Sequence, residues 1–174
     1  MGNIGRTRVD DVLATLNPSQ FRIVRHAAFG EGIRSAADLA DAIGVGIDSV
    51  AKTVLVGDHA RTPERRIAEP TGSYVAVCLP SPRKINVSTV AEILHWSGCK
   101  LATTVELFKV LGFKPGAVSP LGSGEVPLVV DETLMAYTTI LVGSGVKGVD
   151  IELDPRDLVL IVKARIGNVA IDPL

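Results

Sequence analysis

Three stretches of this chain combine residue types and spacings that could do chemistry. The first is Lys52, set between Val50-Ala51 and the apolar run Thr53-Val54-Leu55-Val56. An ammonium in a partly apolar cleft is a compact point charge suited to a carboxylate, a phosphate or a developing oxyanion. The same position also suits a lysine that snorkels from the edge of a core. The second is Gly112-Phe113-Lys114-Pro115-Gly116-Ala117-Val118-Ser119-Pro120-Leu121-Gly122. Gly116 permits close backbone approach and Pro120 fixes the exit of the loop, so backbone amides there could bind a carbonyl or ribose oxygen. Ordinary turns use the same residues. The third is Gly145 to Leu153, where glycines flank Lys147 and where Asp150 and Glu152 share a face if the segment is a strand. A solvated hairpin is the plain alternative.

Other reaction classes lack their residues. The chain contains no GxSxG and no HExxH, and its histidines are His26, His59 and His95. A Cys78–His95 thiol hydrolase is formally available, but no feature brings the two side chains together. His95, beside Trp96 at an apolar helix end, reads as a packing histidine. Cys78 and Cys99 form no CxxC pair and lie in apolar surroundings, which points to inert thiols. No GxGxxG opens a helix after a strand, and there is no GxxxxGK[ST], which removes most support for a nucleotide cofactor.

The elements that must position these residues follow from pattern. A short helix is expected around Val9 to Leu16, stopped by Asn17-Pro18-Ser19. SAADLADAIG predicts a helix capped by Ser35, with Asp38 at the third helical position and Gly44 closing it. A second short helix around Asp48 to Ala51 leads into a strand over 53–56. Residues 58–73 read as a long polar connection, mobile or functional, to a second strand over 74–79. Helices are expected from Asn86 or Ser88 and from Thr103, the latter with Glu106 completing a capping box and Gly112 ending it. PLVVD at 127–131, TILVG at 139–143 and LVLIVK at 158–163 read as strands, the last preceded by a turn at Asp154-Pro155-Arg156-Asp157. The result is a mixed α/β (α+β) domain rather than a repeated βαβ array.

With 174 residues and 18.3 kDa, the chain suits one domain plus a terminal appendage. It is 47% hydrophobic but only 4% aromatic, so the core must be aliphatic. A net charge of −1 excludes a uniformly basic nucleic-acid binder, though not a local patch. Candidate patches are Arg22 with Arg25, Arg61 with Arg65 and Arg66, and Arg83 with Lys84. The start, Met1-Gly2-Asn3-Ile4-Gly5-Arg6, has no signal-peptide pattern, and the apolar stretch after Val126 is broken by Asp131 and Glu132. A soluble cytoplasmic protein without membrane association is expected.

Taken jointly, the segments SAADLADAIGVGIDSVAKTVLV (35–56), GFKPGAVSPLG (112–122), VPLVVDETL (126–134) and GVKGVDIELDPRDLVLI (145–161) resemble the YbaK/ProX family of aminoacyl-tRNA deacylases. That family is related to the editing insertion of bacterial prolyl-tRNA synthetase, and order and spacing agree over roughly residues 20–165. The resemblance implies a compact mixed-sheet, barrel-like domain flanked by helices. It divides the chain into an N-terminal extension, 1–20, and an editing domain, 21–174. Lys52 falls on the family's lysine, Gly116 to Pro120 on its GxxxP loop, and Asp150 on the acidic residue after its glycine-lysine turn. These make Lys52, Gly116 and Asp150 the expected catalytic residues. His26, Thr53, Ala117, Val118, Ser119, Pro120, Gly143, Ser144 and Lys147 are the expected substrate-binding ones.

The implied activity is hydrolysis of the ester joining a wrong amino acid to tRNA, with no acyl-enzyme, no cofactor and no metal. Lys52 would hold the acceptor-end phosphate or oxygens, backbone around Gly116 would position the carbonyl and the water, and Asp150 would shape or polarise the pocket. The 2′-hydroxyl or the substrate's own side chain would assist. Cysteinyl-, alanyl- and other small aminoacyl-tRNAs stay open as substrates, and a synthetase stays open as a partner. Cysteinyl-type members carry a tyrosine before a histidine, which Ile23-Val24-Arg25-His26 lacks, and the family serine falls at Gly143 or Ser144. Two rival readings are a silent binder of the acceptor end and a hydrolase or transferase for another small acyl conjugate.

Overall fold

The computed structural model describes residues 4–30 and 32–173. Met1–Asn3, at the start of the expected extension, and Glu31 and Leu174 lie outside the described residues. In chain order the strands are β1 (Phe21–Arg25), β2 (Ala51–Asp58), β3 (Tyr74–Pro80), β4 (Lys84–Ile85), β5 (Cys99–Leu101), β6 (Leu128–Asp131), β7 (Ile140–Gly143), β8 (Val149–Leu153), β9 (Arg165–Gly167) and β10 (Ala170–Ile171). The helices are α1 (Ile4–Ala14), α2 (Ala36–Ile43), α3 (Pro63–Ala68), α4 (Val87–Leu94), α5 (Thr104–Leu111) and α6 (Pro155–Val162). Among the described residues no helix is long and apolar enough to cross a membrane.

The continuous apolar run of β3 predicts a strand covered on both faces, and every residue of β3 is buried. It lies in a five-stranded sheet of order β5-β2-β3-β6-β9, antiparallel to β2 and parallel to β6. Alternation along the strands separates two cores. Ala51, Leu55, Ala76 and Cys78 face the main one, with Leu107, Leu111, Phe113 and Leu134. Val56, Val75, Val77 and Leu79 face a second, closed by Val90 of α4 and by Val169. Beside this sheet stands a three-stranded one, β1-β8-β7, antiparallel throughout. A parallel bridge between Val50 and Leu141 joins the start of β2 to β7. The two sheets remain distinct, so the mixed α/β architecture is as expected but no closed barrel forms.

The caps anticipated from sequence are present. Ser35 Oγ accepts from Asp38 N, Asn86 Oδ1 accepts from Thr89 N, and Thr103 and Glu106 form a reciprocal capping box. Leu39 and Ala40 of α2 pack on Val24, Val50 and Leu141, seating that helix across the junction of the two sheets. α1 buries Val9 and Leu13 in the main core.

Several expectations change. LVLIVK is not a strand: the segment belongs to α6, because Asp154 accepts from Arg156 N at 2.8 Å and Pro155 occupies the first turn. Those start signals outweigh the β-branched run, and Leu158, Val159 and Val162 meet the core while Leu160 is 75% exposed. The 58–73 connection is pinned rather than loose. Thr62 caps α3 within it, and Arg66 is buried. The helix expected at Asp48 to Ala51 is a single 3₁₀ turn, Ile47–Ser49, and Ala51 already begins β2. Residues 149–153 are no solvated hairpin, since β8 is the central strand of its sheet.

Candidate active site

A cavity of about 890 Å³ opens where the two sheets meet. β2 forms one wall because β5 pairs with it only from Val56 to Asp58 and β7 meets it only at the Val50–Leu141 bridge, leaving the stretch between them without a paired strand on that edge. Val50 O accepts from Ser81 N, whereas Leu55 O accepts from Ala102 N on the opposite side. Antiparallel pairing alternates along a strand. The peptide groups of the odd residues, Thr53 among them, therefore turn toward the cavity side rather than toward β3. The Thr53 hydroxyl faces the thiol of Cys78, its partner in β3.

Lys52, Gly116 and Asp150 come from β2, the 112–122 loop and β8, and all three line this cavity. Burial pushes the Lys52 ammonium below its ordinary range, and among the described residues it makes no ion pair. Gly116 has φ +81°, a left-handed conformation that favours glycine, and nothing crowds the place its side chain would take. Asp150 is paired with His26: Nε2 lies 2.5 Å from Oδ2, with the side chains 24% and 18% exposed. Burial raises the Asp150 carboxyl above the usual carboxylate range, and the bond from His26 opposes that rise.

Of the expected substrate-binding residues, His26, Thr53, Val118, Gly143 and Lys147 also line the cavity. Ala117, Ser119, Pro120 and Ser144 do not. Ser119 and Pro120 are buried behind the loop, and Ser144 lies by a separate cavity of about 50 Å³ with Val146 and Ile23. Gly143 supports the loop by close approach, because a Cβ there would lie 2.3 Å from the Val118 carbonyl oxygen. Of the two positions open for the family serine, the cavity holds the glycine.

Sequence reasoning missed Arg34, which precedes the Ser35 cap and brings a third cation to the cavity with Lys52 and Lys147. Among the described residues, Asp150 is the one carboxylate in the lining. No local signal marks it, because Arg34 reaches the cavity only through the packing of α2 on Val50 and Leu141. The expected surface patches are largely neutralised instead. Arg22 pairs with Glu152 at 2.6 Å, Arg61 and Arg65 reach Glu69, Arg66 is buried on Glu106, and Arg83 stands 3.6 Å from Asp172. No residue of 58–73 lines the cavity.

The thiol-hydrolase possibility closes. Cys78 is fully buried in β3, and burial pushes its thiol up to about 12, so no thiolate is available near neutral pH. His95 ends α4 and is not in the cavity lining.

Residues 30–161 match the model of the aminoacyl-tRNA editing domain family. A proline–tRNA ligase of Chlamydia muridarum is 26% identical over 117 residues, 67% of this chain and 19% of that protein. One from Staphylococcus aureus is 23% identical over 116 residues, 67% of this chain and 18% of that protein. The chain thus spans about a fifth of the length of these relatives. Two solved structures share the fold at a TM-score of 0.76. One is the hypothetical protein APE2540, 23% identical, with 94% of this chain and 99% of that one covered. The other is described as a candidate trans-editing enzyme for prolyl tRNA synthetase, 17% identical, with 96% and 97% covered.

Proposed function

Since the chain belongs to the aminoacyl-tRNA editing domain family, we propose that it hydrolyses the ester between a wrongly attached amino acid and the 3′ end of tRNA. The observation that carries this reading is the convergence of Lys52, Gly116 and Asp150, far apart in sequence, on one cavity whose charged lining is mainly cationic. A cavity of about 890 Å³ is at the large end of the range for small-molecule sites, ample for an aminoacylated terminal nucleoside.

In this reading Lys52 and Arg34 draw in the acceptor-end phosphate, and the unpaired ammonium of Lys52 fixes the ester beside it. The backbone at Gly116 and the Thr53 peptide group, both on the cavity wall, orient the carbonyl and the attacking water. Apolar walls from Leu39, Val50 and Val118 favour a small, uncharged amino acid. Phe108 extends the site outward. It is 55% exposed, one helical turn on from the cavity-lining Thr104, and offers a face on which a base of the acceptor end can stack. Similarity to proline–tRNA ligases favours tRNA(Pro) as the carrier, with cysteine, alanine or a similar small residue as the amino acid.

The test is release of amino acid from cysteinyl- and alanyl-tRNA(Pro), and from seryl-tRNA charged on alanine, proline and threonine tRNAs. Release from one or two of these establishes editing and names its specificity. No release from any, with a folded protein and a working control, overturns the reading. Binding of a non-hydrolysable aminoacyl-adenosine would in that case identify a silent binder.

A further inference from the structure

Building on that function, we propose that His26, held by Asp150, is the general base that takes the proton from the attacking water. Hydrolysis of an ester needs a deprotonated oxygen nucleophile. Cys78 supplies no thiolate, and no serine elbow is present, so the nucleophile in this cavity is water.

His26 is built for the task by its surroundings. It follows β1 directly, and its backbone N–H donates to Gly148 O at 2.8 Å. Asp150 stands on the neighbouring strand, in register with Val24, so pairing of β1 with β8 sets the two side chains against each other. With Nε2–H donating to Asp150 Oδ2, the lone pair is left on Nδ1, which makes no hydrogen bond among the described residues. A carboxylate that fixes one ring nitrogen both selects the tautomer and stabilises the imidazolium once it forms. The other charged groups of the cavity are Arg34 before α2, Lys52 on β2 and Lys147 in the turn before β8.

The step balances without a further reactant. The water oxygen bonds to the ester carbonyl carbon as its proton passes to Nδ1. The bond between that carbon and the ribose oxygen then breaks, and the ribose oxygen takes the proton from the ring. Ester and water become a free amino acid and a terminal hydroxyl.

The experiment is single-turnover release from the best mischarged tRNA, followed across pH 5 to 9. It compares wild type, His26→Gln, His26→Ala with and without imidazole, Asp150→Asn and Lys52→Arg, each checked by circular dichroism. A general base contributes roughly 10²- to 10⁴-fold. His26→Gln is expected to lose that much in rate with KM little changed, and to lose the acidic limb of the profile. Imidazole is expected to restore part of the His26→Ala rate, and Asp150→Asn to shift the limb, as a positioning residue would. Wild type is expected to act on tRNA ending in 2′-deoxyadenosine.

His26→Gln with wild-type rate and profile overturns the base while leaving editing intact. Loss of activity on the 2′-deoxy substrate alone assigns the proton to the substrate and overturns it too. An acidic limb lost in Lys52→Arg and kept in His26→Gln assigns the limb to Lys52 and likewise overturns the base. Absence of release by wild type overturns both the base and the function.

Discussion

Glu106 is the residue whose replacement by glutamine tests the structural account most sharply. It is 2% exposed, yet it carries a charge. Its Oε1 accepts from Arg66 Nη2 at 2.5 Å, Arg66 Nε at 3.0 Å and the Tyr74 hydroxyl at 2.7 Å, while Oε2 accepts from Thr103 N at 2.9 Å. One carboxylate thus caps α5, fastens α3 and pins the start of β3, and α5 supplies the cavity with Thr104 and Leu107. Burial alone would raise this carboxyl, but the Thr103 N–H, the Tyr74 hydroxyl and the Arg66 guanidinium outweigh it and hold it at about 2. Breaking a buried pair on one side destabilises by about 3–5 kcal/mol, because the remaining charge is left unmatched. Linkage gives a similar figure: a carboxyl moved from 4.5 to about 2 contributes about 3 kcal/mol at neutral pH, at about 1.4 kcal/mol per pH unit. The sign follows from a depressed folded-state value, so this stability is fully present above about pH 4.5 and disappears as pH falls through about 2.

Urea unfolding and calorimetry of Glu106→Gln measure both effects. At about 2–4 °C per kcal/mol for a chain of this size, the midpoint falls by roughly 6–20 °C. The variant also loses the Glu106 share of the acid-dependent decline. Adding Arg66→Met is expected to recover part of the loss, since it removes the stranded guanidinium. A single variant within about 1 kcal/mol of wild type, with an unchanged acid profile, would refute the reasoning.

Two further outcomes concern the cavity. Gly143→Ala forces a Cβ to within 2.3 Å of the Val118 carbonyl oxygen. It should displace the Gly116 loop, lowering kcat/KM and destabilising by about 1–3 kcal/mol; an unchanged rate and melting temperature would show that the loop does not rest on this glycine. Phe108→Ala should raise KM for full-length mischarged tRNA by roughly 5- to 150-fold, equivalent to about 1–3 kcal/mol for a stacked base, and leave an aminoacyl-adenosine fragment unaffected. Equal effects on both substrates would remove the stacking role.

Local signals in the sequence were strong wherever chemistry acts over three or four residues. The Ser35, Asn86 and Thr103 caps fix where α2, α4 and α5 begin, and the unbroken apolar run of β3 announces its two-sided burial. LVLIVK misleads because its composition suits a strand, and only the Asp154-Pro155 start together with tertiary burial at Leu158, Val159 and Val162 selects α6. The 58–73 connection looks loose because its six charges cancel on paper. Its firmness depends on Arg66 meeting Glu106, 40 positions away, and no local pattern encodes that. The site divides the same way. Lys52, Gly116 and Asp150 stand in recognisable segments, whereas the His26–Asp150 contact arises from β1 pairing with β8 across 124 positions. Arg34 joins the cavity only because α2 packs over Val50 and Leu141.

The central claim is that this cavity is where the ester is cleaved, and the initial rate of amino acid release by wild type and Lys52→Ala tests it most directly. The comparison uses the best substrate of the panel, with circular dichroism and thermal unfolding on both proteins. Loss of an electrostatic group at the reacting centre predicts a fall of roughly 10²- to 10³-fold in Lys52→Ala with the fold intact. A folded Lys52→Ala protein that releases amino acid at the wild-type rate would contradict the account.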